Sequence, residues 1–480
     1  MFRRTKIVAT LGPASSAADT LAALIDTGVN VFRLNFSHGS ADDHRAVAAR
    51  VREQADAQGR TVALLGDLQG PKIRVARFRD GPVMLRAGEP FIIDTALDKD
   101  AGDGDAVGTD YAGLAEDCRP GDVLLLNDGL IQLEVDAVEG TRVRCRVTVG
   151  GELSDNKGIN RLGGGLNADT LTDKDRRDLL LAAELDLDFL ALSFPRHADD
   201  IHQARGLYRD AGGHGDMVAK IERAEAVADP DTLDALIKAS DGVMVARGDL
   251  AVEIGDAELV GVQKHIIRRA RDLDRFVITA TQMMESMIHS PQPTRAEVSD
   301  VANAVLDGTD AVMLSAETAV GDYPVATVEA MDRIILGAER TYQNRPPNQR
   351  QEQAMHRSDE AIARAAMHVA NHLDNVKAIV AMTETGTTAR LMSRVRSGMP
   401  IFAFTPDPRT QRRVAIYRGV EPRRFDMSPY PGDQANNEAV TRLREAGQVA
   451  DGDRVILTRG DAVRVGGGTN TLKIVTVGET

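Results

Sequence analysis

Cysteine is nearly absent. Cys118 and Cys145 are the only two in 480 residues, and neither stands in a CxxC or Cys/His cluster, so a disulfide-stapled scaffold and the common zinc spacings are both excluded. Long apolar runs are missing as well: no window approaches 18 uninterrupted apolar positions, and the stretch from Met1 to Lys6 leads into a run too short for a signal peptide. An excess of basic charge is also lacking. The 58 Lys and Arg against 72 Asp and Glu leave a formal charge of −14 and a pI near 5.3, which disfavours a nucleic-acid partner. There is no tandem repeat beyond a strand–helix rhythm and no low-complexity tract. These absences describe a protein of a reducing, cytoplasmic setting with no membrane segment. What is present is an ordinary globular composition, 42% hydrophobic, long enough for about three domains of roughly 150 residues.

Eight short apolar runs, rich in Val, Ile and Leu, begin near Lys6, Asn30, Thr61, Phe189, Met217, Gly242, Phe276 and Asp310. Strands buried on both faces read this way, and the gaps between most of them fit a returning helix. Eight such units in series predict a closed parallel (β/α)8 barrel. One intervening segment carries Val298, Val301, Ala302 and Val305 as an apolar helical stripe behind a Thr294/Glu297 capping-box pattern, which gives Glu297 a structural explanation. The gap from Asp67 to Phe189, about 120 residues, is too long for one crossover and implies an insertion. There Val143, Cys145, Val147 and Val149 alternate with polar residues, predicting a small all-β barrel lid with Cys145 in its core. A polar, proline-bearing stretch from Asn344 to Gln353 reads as a linker, and alternating helix and strand signals after it predict an open α/β sheet. The expected division is a barrel of residues 1–70 and 168–345, a lid of 71–167 and a C-terminal α/β domain of 346–480.

In such barrels chemistry sits at the C-terminal ends of the strands. The polar residues closing the apolar runs are Arg33, Asn35 and Ser37, then Asp67, Lys220 and Glu222, Asp249, Thr281, and Ser315 with Glu317. Convergence from six strands marks a site rather than scattered caps. Glu222 and Asp249 supply two hard oxygen ligands suited to Mg²⁺, or to Mn²⁺; pairing of each carboxylate with Arg223 or Arg247 is the structural alternative. Lys220 lies two residues before Glu222, so both face one side of a strand, and a lysine facing a barrel is costly unless it meets an anion. With Arg33 and a divalent ion it forms a cationic cluster suited to a phosphoryl group or an enolate.

Nearly the whole chain resembles the pyruvate kinase family. The resemblance is carried, in order, by Thr5–Ser16, Asn30–Gly39, Leu65–Arg74, Val218–Val227, Met244–Leu250, Thr279–Ile288 and Pro293–Pro324. It implies a barrel with a mobile lid inserted after the third strand, a C-terminal regulatory domain, a homotetramer, and transfer of the phosphoryl group of phosphoenolpyruvate to ADP, giving pyruvate and ATP. It also implies roles. Lys220 and Arg33 would meet the phosphoryl group, Glu222 and Asp249 the divalent ion, and Thr281, with Ser315, the relay that protonates the enolate. The backbone of Ala246, Arg247 and Gly248 would cradle the substrate carboxylate. Asn35, His38, Arg74 and Lys157 would lie near the nucleotide, although His38 and Lys157 also read as solvated loop residues.

The chain departs from the family at one place. Members that need K⁺ hold it at positions matching Asn35, Ser37, Asp67 and Leu68, and carry a glutamate where this chain has Lys72. Leu68 removes a side-chain ligand and Lys72 brings an ammonium where K⁺ would otherwise sit, so independence from K⁺ is expected. In the third domain Thr383, Thr385, Gly386, Thr387 and Thr388 gather before a helix, where phosphate binds readily, and the family uses this loop for phosphorylated effectors; an ordinary helix cap is the alternative. Gly466, Gly467 and Gly468 would form a loop over it. Two competing functions are a metal-dependent aldolase or lyase acting on a keto acid, which leaves the lid unexplained, and a catalytically silent binding protein, which leaves the intact Lys220, Glu222, Asp249, Thr281 and Arg33 unexplained.

Overall fold

The computed structural model describes residues 2–342, 355–460 and 468–479. The expected linker at 344–353 and the first two glycines of the 466–468 loop lie outside the described residues. The eight apolar runs form eight parallel strands: β1 (Lys6–Thr10), β2 (Val31–Asn35), β3 (Ala63–Asp67), β4 (Phe189–Leu192), β5 (Asp216–Ile221), β6 (Gly242–Ala246), β7 (Phe276–Ala280) and β8 (Ala311–Leu314). They close into a barrel in sequence order, with β8 returning to β1 through Lys6 opposite Ala311 and β3 pairing β4 through Leu65 opposite Phe189. Nearly continuous burial along each strand explains the unbroken apolar runs.

Helices cover the outside, started by local chemistry. The Ser40/Asp43, Thr172/Asp175 and Thr294/Glu297 capping boxes open three of them, and Glu297 also accepts from the Ser286 amide at 2.7 Å. Between β3 and β4 the chain builds a six-stranded sheet and a separate two-stranded one. The long strands Ile131–Glu139 and Arg142–Val149 alternate over most of their length, with Val143, Cys145 and Val147 buried between exposed neighbours, while Val149, expected on the same apolar phase, is exposed at the strand end.

The C-terminal sheet has five strands in the order Val420–Arg424, Ile401–Thr405, Val376–Met382, Arg454–Gly460 and Thr469–Thr476, the last of them antiparallel. The edge strand Val420–Arg424 was absent from the sequence expectations: its proline and charges hide it, and a proline is tolerated there because an edge strand has a free side. This domain seals the barrel's N-terminal mouth. Tyr417 packs on Phe276, which stacks edge-on against Phe189 at 5.4 Å inside the barrel. Phe276 fits there because β6 begins with Gly242, where a Cβ would meet its ring at 2.3 Å. The opposite mouth is left for chemistry.

Candidate active site

Five strand ends deliver one connected charge cluster to the open rim. Lys220, on β5, places its ammonium 3.2 Å from Asp67 Oδ1 at the end of β3 and 2.9 Å from Glu222 Oε1, and donates to Ser193 Oγ at 2.7 Å. Arg33, on β2, donates through Nε to Asp67 Oδ2 at 2.6 Å and through Nη1 to Thr10 Oγ1 at 3.1 Å. Asp67 and Glu222 are each 1% exposed. Burial alone pushes Asp67 up, but the charges of Lys220 and Arg33 overcome it and hold the carboxyl below its usual range. Burial likewise opposes the charge on Lys220, and Asp67 and Glu222 reverse the balance, so the ammonium stays protonated.

Glu222 behaves differently. Burial and the nearby charge of Asp249 push its carboxyl above the usual range despite Lys220. A cation between the two carboxylates removes that penalty, and Asp249 Oδ2 carries no hydrogen bond among the described residues. The donor set therefore fits a hard divalent ion. Among the described residues no group of three or more His, Cys, Asp and Glu gathers around one point, and an ion held here by Glu222 and Asp249 would complete its shell from water and substrate. Pairing with Arg223 or Arg247 is ruled out. Arg223 turns to Glu225 (2.9 Å) and Glu253 (3.3 Å), and Arg247 makes a two-pronged pair with Asp300 at 2.6 and 2.8 Å.

Arg247 also shapes the rim. Its guanidinium donates to the carbonyls of Ala280 (3.1 Å) and Thr281 (2.6 Å), bracing the turn after β7 in which Thr281 and Gln282 both take left-handed φ, 66° and 53°. That conformation is costly for residues with a Cβ and here aims the Thr281 hydroxyl across to the start of the helix Arg247–Ile254. The Gly248 amide donates to Thr281 Oγ1 at 2.9 Å, so the backbone expected to cradle a carboxylate is held beside the expected relay hydroxyl. Ser315 follows β8, its amide donating to Glu317 at 2.6 Å.

Lys72 does not sit with the expected monovalent-cation set. Its ammonium lies 3.1 Å from Asp249 Oδ1 and 3.7 Å from Asp128, with no hydrogen bond or ion pair to Asn35, Ser37 or Asp67 among the described residues. Burial opposes its charge, but Asp249 and Asp128 raise its pKa. Leu68 is buried in the barrel core, and Asn35 accepts from the Ser37 amide at 3.2 Å.

Beside the cluster opens a cavity of about 670 Å³ lined in part by Thr10, Pro13, Asn35, His38, His44 and Arg50. Arg74 and Lys157 sit together on the lid: Arg74 bridges Gly158, and the Lys157 carbonyl accepts from Val75 at 2.8 Å. The Thr383–Thr388 segment is remote from all of these. There Thr383 Oγ1 accepts from the Gly386 amide, Thr385 and Thr387 share a hydrogen bond, and Thr388 bonds Thr469, ahead of a seven-residue helix.

Sequence reasoning missed four contributors. Ser193 and Thr10 close their apolar runs as visibly as the residues that were singled out. The Phe194 amide, donating to Glu222 at 2.8 Å from a left-handed φ of 57°, and Asp300, on a helix, carry no such signal.

Comparison with known proteins agrees over almost the full chain. The family described as pyruvate kinase, barrel domain, matches residues 2–328, and pyruvate kinase, alpha/beta domain, matches 360–475. The chain is 57% identical over 476 residues to pyruvate kinase II of Salmonella typhimurium, covering 99% of each, and 53% identical over 464 residues to a pyruvate kinase of Haemophilus influenzae, covering 96% of each. A crystal structure of a pyruvate kinase from Cryptosporidium parvum superposes with a TM-score of 0.89 at 34% identity, over 99% of this chain and 96% of that one.

Proposed function

The chain belongs to the pyruvate kinase family, and from that membership we propose that its rim moves the phosphoryl group of phosphoenolpyruvate onto ADP, giving pyruvate and ATP. The observation that carries this is the Lys220 ammonium, fixed between Asp67 and Glu222 and beside Arg33 at the open end of the barrel. The transferring group is anionic and metaphosphate-like, so catalysis is chiefly positioning and charge neutralisation.

Lys220 and Arg33 hold the phosphoryl group, with Asp67 keeping both cations oriented. Glu222 and Asp249 hold a magnesium or manganese ion, which when bound supplies Lewis-acid neutralisation of substrate oxygens. The amides of Ala246, Arg247 and Gly248 receive the substrate carboxylate. Once the phosphoryl group has left, Lys220 steadies the enolate oxygen, and the Thr281 hydroxyl, with Ser315, passes the proton that converts the enolate to pyruvate. ADP occupies the cavity beside Asn35 and His38, and closure of the lid brings Arg74 and Lys157 to its phosphates. That division of labour follows the proposed domains, residues 1–70 with 168–345, 71–167 and 346–480.

Lys72 gives the rim a resident cation at Asp249, so K⁺ is not required even though Asn35, Ser37, Asp67 and Leu68 occupy the family's K⁺ positions. The Thr383–Thr388 loop takes a phosphorylated effector, and the working assembly is a cytoplasmic homotetramer. Among the described residues no helix is long and apolar enough to cross a membrane.

A coupled assay of pyruvate and ATP formation from phosphoenolpyruvate and ADP with Mg²⁺, at matched ionic strength with and without K⁺, tests the reading. Activity in both conditions is expected. Activity only with K⁺ would remove the Lys72 argument, and cleavage without nucleotide would favour a lyase.

A further inference from the structure

The chain leaves the barrel for the lid at Gly70 and, after its return, starts its first barrel helix behind Thr172, and one wholly buried carboxylate holds both crossings. Asp175 accepts from the Gly70 amide at 3.0 Å, and from the Thr172 amide and hydroxyl at 2.9 and 2.6 Å. Gly70 cannot shift easily. Its φ is 68°, and a Cβ there would meet Ser193 at 2.7 Å.

The neighbouring residue, Lys174, reaches the other way. Its ammonium donates to the Phe36 carbonyl at 2.5 Å and to Asp178 at 2.6 Å. Phe36 is itself fixed: its amide donates to the Asp67 carbonyl at 3.0 Å, and its ring lies where only a glycine fits opposite, since a Cβ on Gly66 would meet it at 2.9 Å. The loop that follows carries His38, whose carbonyl accepts from His44 Nε2 at 3.0 Å, while the His44 ring packs edge-on against Phe36 at 4.9 Å.

We propose that Lys174 is a positioning residue for nucleotide binding, tying the Asn35–His38 loop to the helix start at which both lid crossings meet. The contacts run without a break from lid crossing to Asp175, from Lys174 to the Phe36 carbonyl, and on to the wall of the cavity. Movement of the lid and placement of the nucleotide loop are thereby coupled. The proposal rests on the reading of that loop as nucleotide-binding.

The test compares wild type, Lys174→Met and Lys174→Arg as full-length protein. A charge-assisted hydrogen bond of this kind predicts a KM for ADP raised about five-fold in Lys174→Met. The KM for phosphoenolpyruvate and kcat at saturating ADP stay within about two-fold, and Lys174→Arg recovers most of the loss. Hydrogen exchange of amides 36–40 in the ligand-free protein accelerates in Lys174→Met and not in Lys174→Arg. An unchanged KM for ADP, or equal rises in both KM values, would overturn the proposal. If wild type formed no pyruvate from phosphoenolpyruvate and ADP, the nucleotide reading would fall on its own account; unchanged exchange at 36–40 would separately overturn the hold of Lys174 on the loop.

Discussion

Both ends of the barrel bury charge, and they do so in opposite ways. At the sealed end pairs are closed: Arg394 and Asp310 are each 1% exposed and bind each other across the seam with the C-terminal domain, and Glu339 takes the amides of Arg4 and Thr5 with Arg418 nearby. At the open end one lysine is shared between two carboxylates, one of which, Glu222, stays above its usual pKa because it is buried and Asp249 lies near it. Closed pairs spend their charge on holding two domains together. The open set shares its charges in a network, Lys220 and Arg33 on Asp67, Lys220 on Glu222 and Lys72 on Asp249, in the place where an anionic substrate and a divalent ion would bind.

The largest break in this contrast comes from the rim. Lys220→Met is expected to lower kcat by about 10³-fold while the fold persists, measured by steady-state kinetics beside circular dichroism. At the sealed end Arg394→Met strands the buried Asp310 and is expected to cost about 3–5 kcal/mol, read as a loss in denaturant midpoint, with kcat of the folded fraction kept. A smaller effect separates the rim's two kinds of cation. Lys72→Glu restores the family's acidic residue and is expected to lower K⁺-free activity about ten-fold, with recovery on adding K⁺; a variant indifferent to K⁺ would remove Lys72 from the account.

The smallest effect concerns Asp216, which pairs with Arg413 across the seam at 2.8 Å. Burial pushes its pKa up to about 6, against the pull of Arg413. A carboxyl whose folded pKa lies above its unfolded one destabilises the fold as pH rises through that interval and no further above it. Asp216→Asn is therefore expected to match wild-type stability near pH 4 and to exceed it by on the order of 1–2 kcal/mol above pH 6, in denaturation series across pH. A gain that shrinks with rising pH would reverse the sign.

Much of the barrel was legible because parallel strands buried on both faces cannot alternate; they must be apolar throughout. The edge strand Val420–Arg424 was not, because an edge tolerates Pro422 and the charges of Arg423 and Arg424. At the rim, period two placed Lys220 and Glu222 on one face. Asp67 was read on the same rim, but its direct pairing with Lys220 was out of reach of sequence alone, because it arrives from a strand more than 150 residues earlier, with the lid inserted between. Lys72 shows the same limit. Its replacement of a glutamate was readable, but its turn toward Asp249 depends on how the lid's outgoing segment lies over the rim.

The most direct test is to measure kcat and thermal midpoint together on Glu222→Gln. If the rim's charges serve the reaction and not the fold, ATP formation falls by at least about 10²-fold while the midpoint holds or rises. Retained activity, or a midpoint that collapses as for Arg394→Met, would contradict the division of labour between the barrel's two ends.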